Sequence, residues 1–190
     1  APEGAVKARI WLYSGVAQHS VAYFDELSVT KVPTLNLPFE FGNPVDLGPA
    51  TVTAKSVGGA IGNNEVYFAT NGSPSTFYVL DAFTGAVKFS QPVPGLSSAW
   101  AVTVAPDGNC YFAGSDNGRL YRYNPTTRTL EDLGVNPSDK YVWDLAPTND
   151  GKIYGATYPN SKIFEYDIAT NTFRDLGTVL EGVKYARGIG

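Results

Sequence analysis

Between residues 57 and 185, apolar and polar side chains alternate along short runs, and each run ends in a cluster of Gly, Asn, Asp, Pro or Thr. Residues 100–105 alternate until Pro106-Asp107-Gly108, and residues 109–114 until Ser115-Asp116-Asn117-Gly118. Residues 119–124 run to Pro125-Thr126-Thr127, and a fourth run covers 129–133. A period of two sends successive side chains to opposite faces of a strand, and Tyr, Phe, Val and Ile favour that geometry. Asp-Gly and Asn-Gly supply the positive φ that tight hairpins need. No window carries a helical period with caps. The pattern predicts an all-β chain of short antiparallel strands.

The pattern also repeats. Trp100 to Gly108 returns as Trp143 to Gly151, with tryptophan opening and Asp-Gly closing both segments, 43 residues apart. At the same spacing Cys110-Tyr-Phe-Ala-Gly114 matches Ile153-Tyr-Gly-Ala-Thr157, and Leu120-Tyr-Arg-Tyr-Asn124 matches Ile163-Phe-Glu-Tyr-Asp167. Leu130-Glu-Asp-Leu-Gly134 and Phe173-Arg-Asp-Leu-Gly177 follow in step. An earlier copy lies in Glu65–Thr70 and Phe77–Asp81. There Asp81 stands 43 residues before Asn124 and Tyr67 stands 44 before Tyr111, so one turn differs by a residue.

A four-stranded antiparallel unit of this length resembles a β-propeller blade. The aromatic strands with Asp/Asn-Gly turns are more similar to Kelch, NHL and PQQ-type propellers than to WD repeats. The resemblance covers the windows 57–99, 100–142 and 143–185. It implies a partial β-propeller of three four-stranded antiparallel blades, with Val45-Asp-Leu-Gly48 as an additional outermost strand. Propellers close with about four to eight blades. The expectation is therefore that 45–190 is the first part of a longer propeller. The remainder would come from the parent polypeptide or from another chain, a ring of two copies being the less favoured form.

Residues 5–31 break the repeat. Ala5–Tyr13 and Ser20–Thr30 read as two strands, and Tyr23-Phe24-Asp25-Glu26-Leu27-Ser28 resembles the closing strand of carbohydrate-binding jelly rolls from bacterial glycan-degrading proteins. That resemblance implies that residues 1–31 are the end of such a module. It also makes Asp25 the counterpart of an aspartate that contributes to a structural calcium site there. Calcium needs several oxygen ligands, so Asp25 with Glu26 alone is a poor site. Residues 32–44 have the Pro-rich look of a linker.

Composition narrows the function. The 190 residues carry a formal charge of −4, 17% charged and 13% aromatic residues, which excludes disorder by composition. No basic run offers a footprint for nucleic acid, and no apolar run reaches the length of a membrane span. A single cysteine rules out an internal disulfide framework and a multi-cysteine zinc site. No cofactor beyond the calcium just mentioned is expected. The absence of methionine, including an initiator, suggests a mature or excised piece.

The candidate sites follow from the repeat. His19 lies in a polar turn with no paired nucleophile and reads as a solvated loop residue. Cys110 occupies the repeat position of Val66 and Ile153 and reads as a small core residue. Trp100 and Trp143 share a position at the start of an innermost strand, where the first copy has Ser56 or Val57. A propeller places that end at its central mouth, so these rings serve either inter-blade packing or stacking on sugar. Lys140-Tyr141 matches Lys184-Tyr185 at a spacing of 44, which puts Arg187 at the place of Trp143. Asp144 and Arg187 would then lie near the mouth, either binding an acidic or hydroxylated sugar or pairing with each other. Catalytic residues are not identifiable. The favoured function is part of a secreted, extracellular multidomain protein that binds or degrades polysaccharide, with Trp100, Trp143, Asp144, Tyr185 and Arg187 as substrate-binding candidates. If enzymatic, it would be a polysaccharide lyase or glycoside hydrolase completed by further blades. The alternative is a non-catalytic scaffold that presents its loops to a protein partner.

Overall fold

In the computed structural model, which describes residues 55–190, the alternating runs form strands and no helix occurs among the described residues. These residues belong to the second of two units of the chain, Asp46–Gly190. The jelly-roll-like strands with His19, Asp25 and Glu26, the linker 32–44 and the strand expected at 45–48 lie outside the described residues.

Three four-stranded antiparallel sheets follow one another along the chain. The first is β1 (Ser56–Gly62), β2 (Glu65–Thr70), β3 (Ser75–Asp81) and β4 (Val87–Val93). The second is β5 (Ala101–Val104), β6 (Cys110–Ala113), β7 (Arg119–Asn124) and β8 (Thr129–Val135). The third is β9 (Tyr141–Pro147), β10 (Lys152–Tyr158), β11 (Lys162–Asp167) and β12 (Thr172–Thr178). Spatial order equals chain order within each sheet, and β1, β5 and β9 lie side by side. Register bears out the repeat: Val66 faces Leu80, Cys110 faces Tyr123 and Ile153 faces Tyr166. The third sheet begins two residues before Trp143, because Tyr141 pairs with Tyr158 ahead of a bulge at Ala156/Thr157.

Strand alternation explains how the sheets stack. In β6, Cys110 and Phe112 join the core shared with the first sheet, beside Tyr67, Phe77 and Val79. Tyr111 and Ala113, between and after them, join the core shared with the third sheet, beside Ile153, Phe164 and Tyr166. A strand covered on both faces buries every residue, and all four residues of β6 are buried.

The turns repeat as faithfully as the strands. Asp81 Oδ1 accepts from the Phe83 and Thr84 amides, Asn124 Oδ1 from those of Thr126 and Thr127, and Asp167 Oδ1 from those of Ala169 and Thr170. Each side chain thereby closes an Asx turn between the third and fourth strands of its sheet. Gly85, Arg128 and Asn171, four residues after each, take positive φ of 70°, 56° and 53°.

The Lys152 ammonium and the Thr170 and Ala169 amides hold the Asp167 carboxyl at about 2, below the ordinary value of about 3.8. A depressed folded-state pKa contributes stability that is present above the unfolded value and is lost as pH falls through the folded one. Urea midpoints of the native chain should therefore decline between about pH 4 and pH 2. Asp167→Asn should be less stable at neutral pH and show a shallower decline. Equal slopes for the two proteins would contradict this role.

At one end of the stack lie the turns joining first to second and third to fourth strands. At the other end lie the second-to-third turns and the connectors between sheets. Each connector is stitched to the sheet it leaves: Ser75 N donates to Leu96 O (2.8 Å), Asn136 N to Gly118 O (2.9 Å) and Val179 N to Ser161 O (2.9 Å). The last two bonds lie one repeat apart. This connector end carries the sequence-predicted candidates.

Candidate functional site

Trp100 immediately precedes β5, and Trp143 is the third residue of β9. Their rings meet edge-on across the boundary between the second and third sheets, with centroids 5.1 Å apart and planes at 70°. Packing between neighbouring sheets is thus one role of the pair. Trp100 nevertheless leaves 42% of its surface open. Its backbone is fixed by an N–H bond to the buried Ser115 Oγ (3.2 Å).

Residues 184–189 come back along the third sheet. Ser161 N donates to Lys184 O (3.1 Å) and Ala186 N to Thr157 O (3.0 Å). Asp144 completes the fastening: its Oδ2 accepts from Ile189 N (3.0 Å) and its Oδ1 from Leu145 N (2.9 Å). Asp144 and Arg187 form no ion pair. The carboxylate instead holds the backbone of the turn that carries Arg187.

Fastened in this way, the segment extends the aromatic row. Tyr185 lies 6.1 Å from Trp143 and stacks on Tyr158 at 4.4 Å and 24°, and Tyr158 in turn meets Tyr141 edge-on at 5.5 Å. The Arg187 guanidinium sits 5.3 Å from the Trp143 ring centre and 5.9 Å from that of Tyr185. Lys140 Nζ lies 5.5 Å from the Tyr141 ring. Such distances suit cation–π attraction. Trp143, Tyr185 and Arg187 line an open pocket of about 390 Å³, with Tyr185 48% exposed. The Trp143 Nε1 is buried and meets no acceptor among the described residues. Buried donors are seldom left without a partner.

Two other hollows are comparable in size but chemically different. One of about 370 Å³ lies between the first two sheets at the connector end and is lined by Ser73, Pro74, Leu96 and Asp116 among others. One of about 410 Å³ lies at the opposite end among Asn63, Glu65, Asp107 and Asn124. Neither combines an aromatic face with a cation. Cys110 is buried in the core between the first two sheets, and that burial pushes its thiol well above the ordinary range. It is core, as its repeat position predicts. No group of three or more potential metal ligands occurs among the described residues.

Of the predicted residues, Trp100, Trp143, Tyr185 and Arg187 are brought together, and Asp144 lies beneath them as an anchor. Tyr158 and Tyr141 join the row without being among the sequence-predicted candidates. Tyr158 has no aromatic counterpart one repeat earlier, where Ser115 stands. Its place in the row comes from its pairing with Tyr141, which only the structure shows.

No protein-family model matches the sequence, and no curated protein does. Solved structures do match the fold. A streptogramin B lyase superposes with a TM-score of 0.55 at 18% identity, over 68% of this chain and 42% of its own. Virginiamycin B lyase from Staphylococcus aureus gives 0.58 at 12%, over 66% and 42%. The WD40 repeats of RRP9 give 0.54 at 10%, over 63% and 36%. The sheets are propeller blades. At these identities the likeness concerns fold alone. The chain spans less than half the length of each of these structures. A further match, at a TM-score of 0.51 and 14% identity over 69% of this chain and 18% of its own, is the extracellular domain of a one-component system of B. thetaiotaomicron.

Proposed function

We propose that the connector end of these blades binds polysaccharide, as part of a secreted multidomain protein whose remaining blades complete the ring. The observation that carries this reading is the row Trp100–Trp143–Tyr185, partly open to solvent, in which Trp143 and Tyr185 line a pocket together with the Arg187 guanidinium. Aromatic faces suit the apolar faces of sugar rings, and the exposed guanidinium beside them can donate to oxygen substituents. Ligand sites commonly combine apolar walls with a few placed polar groups. The jelly-roll resemblance of residues 1–31 and the extracellular neighbour favour secretion. Asp144 contributes by holding the turn, and Asp25 would belong to the preceding module's calcium site.

The test is affinity electrophoresis of the full chain through a series of polysaccharide gels, with Tyr185→Ala and Trp143→Ala alongside. A stacked ring is worth about 1 kcal/mol, which reads as a roughly five- to tenfold loss of affinity. Tyr185 is half exposed, so its replacement leaves the fold intact and isolates the binding effect. Retardation by no polysaccharide would overturn the reading. Retardation unchanged by Tyr185→Ala would move the site away from this pocket and favour a scaffold whose connector end serves another purpose.

A further inference from the structure

We infer that the sugar taken at the Trp143–Tyr185–Arg187 pocket carries a carboxylate, so that the ligand class is a uronate-containing polysaccharide. This rests on the preceding reading that the pocket binds polysaccharide, and it adds the charge of the ligand.

Five arginines fall among the described residues, and four are occupied. Arg119 pairs with Asp132, Arg122 with Glu131 and Arg174 with Glu165, while Arg128 donates to the Lys88 carbonyl. Arg187 alone has no acceptor among the described residues, although it is held against two aromatic rings. The nearby carboxylate that sequence spacing offered as a partner, Asp144, is engaged through both oxygens by the Leu145 and Ile189 amides. A guanidinium resting on ring faces keeps the N–H donors along its edge available, and that edge matches the two oxygens of a carboxylate.

A second cation stands on the same row of rings, while the carboxylates nearby, Asp144 and Asp139, are taken up by hydrogen bonds from the chain. Lys140 lies over the Tyr141 ring at the end of the same aromatic row, and Lys184 directly precedes Tyr185. A chain with a formal charge of −4 thus places two cations, Lys140 and Arg187, over one row of rings. A neutral sugar would use the rings and offer the arginine only uncharged oxygens, the weaker acceptors. A uronate uses both, because its carboxylate projects from the rim of a ring whose apolar face can stack.

The experiment titrates the full chain with three polyuronates, polygalacturonate, alginate and glucuronan, each beside its carboxyl-reduced form. Reduction turns each carboxylate into a neutral hydroxymethyl group and keeps the backbone. Neutral and sulfated polysaccharides of similar length complete the series. At least one polyuronate should bind about tenfold or more tightly than its reduced form, the usual worth of a charge-assisted hydrogen bond. Arg187→Gln should bring the native polyuronate down to the level of its reduced form, so that the two forms no longer differ. Arg187→Lys, which keeps the charge and loses the fork, should recover only part of the difference. Arg187 is exposed, so these variants test the ligand rather than the fold. Equal binding of native and reduced forms, or a preference for neutral or sulfated polysaccharide, overturns the inference and leaves polysaccharide binding standing. Binding of no polysaccharide at all overturns both.

Discussion

Phe112→Ala should lower the free energy of unfolding by about 3–5 kcal/mol, the range for removing a fully buried phenylalanine. Phe112 has no exposed surface. Its ring stacks on Phe77 of the first blade at 4.5 Å and 9°, and on Tyr121 of its own blade at 5.0 Å and 14°. Removing it opens a cavity between two sheets, and neither sheet can collapse into it without breaking the β1 to β5 contact. The repeat supplies an internal control. Phe68 occupies the equivalent position in the first blade and stacks on Tyr78 at 5.5 Å and 12°, but both are only partly buried. Phe68→Ala should cost about 1 kcal/mol, in proportion to its smaller loss of buried area. Urea unfolding of both variants decides the matter. Comparable losses would show that the first blade's outer face is as well covered as the interface between blades.

That contrast also explains which parts of the molecule were legible in its sequence. Blades stack by one geometry, so each interface demands the same residue types at the same positions. The strict 43-residue spacing of Cys110 with Ile153 and of Tyr123 with Tyr166 is the imprint of that demand, and that of Asn124 with Asp167 is the imprint of a shared Asx turn. The site was legible where it borrows repeat positions. Trp100 and Trp143 are equivalents, and Arg187, set by the spacing at the next equivalent position, lies against Trp143 because the segment 184–189 is fastened to the third blade at Ser161, Thr157 and Asp144. Other parts had no such imprint. Tyr158 supports Tyr185 from a position that holds serine in the preceding blade. The role of Asp144 depends on a backbone amide 45 residues away, which no residue type announces. The jelly-roll resemblance concerns residues 1–31, outside the described part of the chain.

Gly58→Ala should be similarly damaging, at about 3 kcal/mol, the upper end of the ordinary range for overpacking. A Cβ at Gly58 would fall well inside contact distance of the Trp100 carbonyl carbon and oxygen, and within 2.9 Å of the Ala99 carbonyl oxygen. These are backbone atoms, so no rotamer change can make room, and β1 must move away from the chain leading into β5. The equivalent positions in the following blades are Ala101 and Asp144. Side chains fit there, so the crowding is particular to the first interface. The variant should therefore do more than lower the unfolding midpoint. Displacing Trp100 should separate it from Trp143 and weaken the near-ultraviolet circular dichroism of that edge-on pair. Gly155→Ala separates the two effects. Its Cβ would strike the Phe164 ring inside the third blade, which should lower stability and leave the tryptophan signal unchanged. A Gly58→Ala protein with an unaltered tryptophan signal and a midpoint within experimental error of the parent would show that the first two blades can spread without cost. The close approach of β1 to Trp100 would then not be what sets the position of the aromatic row.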